Sequence, residues 1–223
     1  MADIISVYGK LLLDAMGQTL IMAFYSLIFA SIIGLIFGML SVLKSKVCNV
    51  IAQVFVDIIR GVPMIVLAFF VFFGIPYALK NFLHSTFTFT ALQAGIICLS
   101  LNCGAYMSEI IRAGIQSVDV GQMEAARSLG IPYWKAMHKV VLPQAIRTMI
   151  PSIINQFIIT LKDTSILSVI GFPELVNAAQ NVIAINFKSF QVWFLVGLMY
   201  LIVITILSKI AKALERRMNR GRK

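Results

Sequence analysis

Charge is scarce in this chain: Asp, Glu, Lys and Arg make up 13% of its 223 residues, against about 25% in a soluble domain. Hydrophobic residues make up 60%, where a soluble domain has roughly 45–50%. A single soluble core cannot hide that much apolar side chain, and a bilayer supplies the missing apolar contact. Cysteine is equally sparse. Cys48, Cys98 and Cys103 are odd in number and lack C-x-x-C spacing, which argues against a disulfide framework or a metal-ligand cluster. His84 and His138 fall in loops and suggest no metal site. No basic stretch precedes the first apolar run, so a cleaved signal peptide is not expected. The chain has no G-x-x-x-x-G-K-[ST] run for ATP. It also shows no grouping of nucleophile, base and orienting residue.

What is present is apolar and blocked. Ala15 to Leu43 is free of charge, and further blocks run from Gly61 to Leu79, Ala91 to Met107 and Ser189 to Ser208. The first exceeds the length of about 20 residues that crosses the hydrocarbon, and the others come close to it or match it. The second is expected to belong to a helix that starts before Arg60. The fourth block is different. Only Thr148–Leu161 is uncharged, Pro151 interrupts it, and Ser165–Phe172 follows Asp163. Such a short or broken span is expected to line a cavity, because irregular backbone at membrane depth is tolerated only there or against protein.

The chain therefore reads as an all-α integral membrane protein of about five transmembrane helices. The net charge is +10, and its distribution orients the bundle. With the N-terminus outside, Lys44, Lys46, Arg112, Arg127, Lys135, Lys139 and Arg147 are cytoplasmic, while Lys10, Lys80, Lys162 and Lys188 are external. That split follows the positive-inside rule. The seven Lys/Arg from Lys209 to Lys223 then form a cytoplasmic tail against anionic lipid rather than a nucleic-acid contact.

The loop between the third and fourth spans, Ser117 to Lys135, reads as two short helices joined by a tight turn. Ser117 or Asp119 caps the first helix, Gly130 takes a left-handed position that ends it, and Pro132 opens the next. The exposed element offers Met123, Leu129, Tyr133 and Trp134 beside the small Ala125 and Ala126. It could receive a partner protein or lie on lipid headgroups.

Glu124-Ala125-Ala126, Gly130 and Val140-x-Leu142-Pro143 resemble the EAA loop of binding-protein-dependent ABC importer permeases. Val140 stands where that pattern often has Ile. Arg60-Gly61-Val62-Pro63, Tyr106-x-Ser108-Glu109-Ile110-x-Arg112-x-Gly114-Ile115 and Leu161-Lys162-Asp163-Thr164-Ser165 resemble the polar amino acid branch. The resemblance implies a type I importer permease of a prokaryotic cytoplasmic membrane. Residues 1–16 would form an external lead-in, 17–212 the permease domain with a coupling loop at about 117–143, and 213–223 the basic tail. It also implies separate ATPase subunits that bind ATP-Mg, a second permease subunit, identical or homologous, and an extracytoplasmic amino acid-binding protein. No cofactor is expected on this chain. Glu124, Ala125, Ala126, Gly130, Met123 and Leu129 would carry the coupling to the ATPase.

Charged residues at membrane depth are candidates for function. Asp163, beside Thr164 and Ser165, is a candidate ligand for an amino group, or else a helix-end residue paired with Lys162. Arg60 can meet a substrate carboxylate or pair with Asp57 three residues earlier. Asn102 can bond a substrate or a neighbouring helix, and Glu109 with Arg112 reads as structural. Gly34 and Gly38 form a G-x-x-x-G face for close packing. A gradient-driven secondary transporter is the alternative, but the expected extra spans or inverted repeats are not evident.

Overall fold

The computed structural model describes residues 2–219, and every element in it is helical. Residues 220–223, the end of the basic tail, lie outside the described residues. Among the described residues, five helices are long and apolar enough to cross a membrane: α1 (whose spanning stretch is Asp3–Leu40), α3 (Met64–Leu83), α4 (Ala91–Gln116), α6 (Tyr133–Ile170) and α8 (spanning stretch Ser189–Ala213). Between them lie the shorter α2 (Lys46–Gly61), α5 (Val120–Ser128) and α7 (Leu175–Asn186).

Helix α4 is the axis of the bundle. Two-thirds of its apolar window is buried (67%), against 11% for α8, whose exposed Phe190, Trp193, Phe194, Leu201 and Ile202 suit a lipid-facing surface. Lipid offers no hydrophobic drive between helices, so close approach depends on small residues. Gly34 and Gly38 of α1 supply it. A Cβ built on Gly34 would stand 2.5 Å from the Met107 Cβ, and one on Gly38 would stand 2.8 Å from Ile111. Gly104 answers from α4, where a Cβ would meet Ile33 at 2.7 Å. The G-x-x-x-G face is thus used inside the chain.

Three boundaries differ from the sequence expectation. Helix α1 runs Ala2–Leu40 rather than beginning near Ala15. Its early residues Ile4, Leu12, Ala15 and Met16 pack with Leu175, Ala179, Val182 and Val192. Second, Gly61–Leu79 does not continue a helix from before Arg60. Helix α2 ends at Gly61, Val62 and Pro63 are extended (φ −96°, ψ 130° and φ −55°, ψ 137°), and α3 starts at Met64. Pro63 pushes the residue before it out of the helical region. Third, Pro151 lies inside a continuous helical stretch, Leu142–Asp163. The helix changes form after Asp163 instead, where it tightens to a 3₁₀ turn over Thr164–Ile170. Two π-helical turns, Phe70–Gly74 and Met137–Val141, each end two residues before a proline, Pro76 and Pro143. A proline has no N–H for the carbonyl four residues back and its ring crowds that carbonyl, so the preceding turn widens.

Candidate functional site

The break at Val62–Pro63 and the tightened turn after Asp163 face one cavity of about 520 Å³, walled by Arg60, Met64, Asn102, Tyr106, Gln156 and Asp163 among others. Irregular backbone therefore sits where the bilayer rule allows it, against a cavity. Three of the expected pathway residues, Arg60, Asn102 and Asp163, are brought together from α2, α4 and α6. The other two are not. Thr164 is fully buried and its hydroxyl donates to the Leu161 carbonyl at 2.7 Å, while the Ser165 hydroxyl donates to the Lys162 carbonyl at 2.7 Å. These hydroxyls hold the turn that presents Asp163.

Arg60 does not pair with Asp57 as the i, i+3 spacing suggested. Its Nη1 stands 3.7 Å from Glu109 Oε2 on α4, and its guanidinium lies over the Tyr106 ring at 4.8 Å. Glu109 is gripped on both oxygens by Arg112, Nε to Oε1 at 3.0 Å and Nη2 to Oε2 at 2.8 Å. Among the described residues no ion pair joins Asp163 to Lys162. Asn102 donates to the Met64 sulfur at 3.8 Å, a weak partner that leaves its amide available to the cavity.

Gln156 is the wall residue that sequence reasoning missed. It is 7% exposed and lies on one helical face with Thr148, Ser152 and Asp163, all of which line this cavity or a second one of about 480 Å³ beside it. Spacings of four, four and seven residues make a polar stripe in an otherwise apolar span, a signal that was readable. Glu174 was also missed. It is fully buried at the N-terminus of α7, accepting from Val176 N at 2.8 Å, Asn177 N at 2.6 Å and the Tyr200 hydroxyl at 3.2 Å. Burial pushes its carboxyl above the usual range, against those three hydrogen bonds. It caps the helix and faces none of the cavities described here.

The loop folds as its residues predict. Asp119 caps α5, its Oδ1 accepting from Gly121 N at 2.6 Å. Gly130 takes φ +78°. Gly130 N donates to the Arg127 carbonyl at 3.0 Å and Ile131 N to the Ala126 carbonyl at 3.2 Å, the paired bonds of a Schellman closure. Glu124, Ala125, Leu129, Gly130 and Trp134 are exposed, Leu129 by 81%. Ala126 is buried, and half-buried Met123 packs with Ile111, Ile115, Met137, Val141 and Met149. The loop thus has an outer face and an inner face seated on α4 and α6.

The sequence profile of the family described as "Binding-protein-dependent transport system inner membrane component" matches residues 15–220. The glutamine transport system permease protein GlnP of Escherichia coli (strain K12) is 37% identical over 208 residues, 93% of each chain. The arginine transport system permease protein ArtQ of Bacillus subtilis (strain 168) is 34% identical over 207 residues, 93% of this chain and 92% of that one. A solved amino acid ABC transporter with histidines superposes with a TM-score of 0.86 at 34% identity, covering 94% of this chain and 95% of that one. The MetNI methionine ABC transporter in an inward-facing conformation shares the fold, with a TM-score of 0.79 at 20% identity over 95% and 97% of the chains.

Proposed function

The chain belongs to the family of binding-protein-dependent transport system inner membrane components, and we propose that its cavity carries a polar amino acid as a zwitterion. It is the multi-pass permease subunit of an ATP-driven amino acid importer whose ATPase activity resides in separate subunits. One observation carries the cargo reading: a carboxylate, Asp163, and a guanidinium, Arg60, share one cavity wall with the amide of Asn102. Asp163 receives the ammonium group, Arg60 the carboxylate in the planar, two-pronged manner suited to it, and Asn102 a polar side chain. Relatives that carry glutamine and arginine support this choice of cargo.

The end bearing α5 faces the cytoplasm, with the N-terminus outside. There the ATPase subunits, holding ATP and Mg²⁺, receive the outer face of α5 through Glu124, Ala125 and Leu129. Ala126 and Met123 anchor that helix to the bundle, and Gly130 sets its end. A second permease subunit and an extracytoplasmic binding protein complete the importer.

The test reconstitutes the chain with its ATPase and binding-protein partners in proteoliposomes and follows uptake of tritiated L-glutamine and L-arginine. Asp163→Asn is expected to cut ATP-dependent uptake by at least about tenfold, the scale of losing one charged partner in a desolvated site, with the complex still assembled. Full uptake by that variant overturns the cargo reading. Uptake driven by an ion gradient with no ATPase present would instead favour a secondary transporter.

A further inference from the structure

Arg60 belongs to three cavities at once. Besides the one at Asp163, it lines a cavity of about 340 Å³ with Asn49, Gln53, Asp57, Glu109 and Arg112, and another of about 480 Å³ that runs from Tyr106 and Gln156 to Ser117 and Thr148. Both of these extend towards the end that carries α5. Arg60 therefore stands at the junction between the cargo cavity and the way out.

Its contacts are those of a group that can change partners. The 3.7 Å separation from Glu109 is too long for a hydrogen bond, and the side chain is 40% exposed. Stacking over Tyr106 at 4.8 Å holds the guanidinium near the junction without using its N–H donors. Glu109 does not depend on Arg60, because Arg112 engages both of its oxygens. Arg60 also sits in the last turn of α2, two residues before the extended Val62.

Building on the zwitterion reading, we propose that Arg60 is an exchange gate: it holds the cargo's carboxylate in the cavity and passes to Glu109 as the amino acid leaves. The two carboxylates compete for one guanidinium. Glu109 is the release partner, and Arg112 sets how hard it competes. With both oxygens occupied by Arg112, Glu109 attracts Arg60 weakly enough that the next cargo can reclaim it.

Opposite effects of two neutralising substitutions test this. The complete permease–ATPase complex in lipid nanodiscs is titrated with tritiated L-glutamine and L-arginine, and ATP-driven uptake is measured in proteoliposomes. Glu109→Gln removes the competitor, so binding tightens by up to about fivefold, the ceiling for a half-exposed ion pair, and turnover slows. Arg112→Gln leaves Glu109 to Arg60 alone, so binding weakens by a similar factor. Arg112→Lys keeps the charge and loses the two-pronged grip. It gives a smaller shift in the same direction as Arg112→Gln, and it carries the test if Glu109→Gln does not assemble. A merely structural cluster would lose affinity in both neutralised variants. Shifts of the same sign, or none, overturn the gate. If Asp163→Asn still loses binding in that case, the cavity reading stands; if Asp163→Asn binds like the wild type, the cavity reading itself fails.

Discussion

Substituting Gly130 isolates backbone conformation from packing, because a Cβ there meets nothing within 4 Å while φ is +78°. The penalty of a side chain is therefore conformational. An L-residue in the left-handed region costs roughly 1–2 kcal/mol, a β-branched one more, and Asn least among non-glycines. Losing 1–2 kcal/mol lowers the population of the closed turn by about five- to thirtyfold relative to its opened form. When the turn opens, the Gly130–Arg127 and Ile131–Ala126 bonds are lost together and α5 no longer ends at a fixed point before α6. The expected order of binding-protein-stimulated ATPase activity and uptake is Gly, then Asn, then Ala, then Val. Basal ATPase activity and the melting temperature of the complex should change little, since the site is exposed. Proteoliposomes with the full complement of partners give both activities side by side. Wild-type uptake by Gly130→Val would refute the reasoning, as would an Ala variant better than Asn.

Gly34→Val places a branched side chain where the Met107 Cβ already stands 2.5 Å away, so α1 must part from α4. The amount of folded permease recovered in mild detergent should fall sharply, and normal recovery would contradict the close-packing account. Pro63→Ala restores an N–H and lifts the restriction on Val62, favouring helix across the break in the cavity wall. Assembly should persist while uptake drops several-fold; an unchanged uptake would show that the break is incidental. Glu174 has a carboxyl raised by burial, so the folded protein holds its proton more tightly than the unfolded chain. That stabilisation is full below the unfolded-state value and fades as pH rises through the folded one. Melting of the complex across pH should show this decline, and Glu174→Gln should flatten it; parallel curves for the two proteins would count against it.

The spans were legible because apolar runs free of charge have few other uses at this length, as Ala15–Leu43 and Ser189–Ser208 illustrate. The turn at Gly130 was legible for a different reason: a left-handed end followed by Pro132 is a local requirement, met by local residues. The break was misplaced because Pro151 and Pro63 look alike in sequence. Pro151 continues a helix already committed on both sides, whereas Pro63 follows the end of α2, where Val62 is free to extend. Spacing alone allows Arg60 to pair with Asp57 three residues earlier. Glu109 is 49 residues away in the chain and becomes its neighbour only when α2 packs on α4. Tertiary pairs of this kind leave no periodic trace, while the Thr148, Ser152, Gln156, Asp163 stripe does.

A single structural member joins the two ends of the proposed function. Helix α6 begins at Tyr133, in the loop, and runs to Ile170, past Asp163. From Trp134 to Asp163 it spans about 44 Å at the usual rise per residue. Met137, Val141, Ala145 and Met149 on α6 pack with Ile111 and Ile115 of α4, and half-buried Met123 of α5 packs onto the same group. A displacement of α5 thus has a packed, apolar seat to push on and a continuous helix to push through. The widened turn at Met137–Val141 lies on that line, at the loop end. The two irregular joints at the cavity, Val62–Pro63 and the turn after Asp163, are where such a movement can change the shape of the site without unwinding a span.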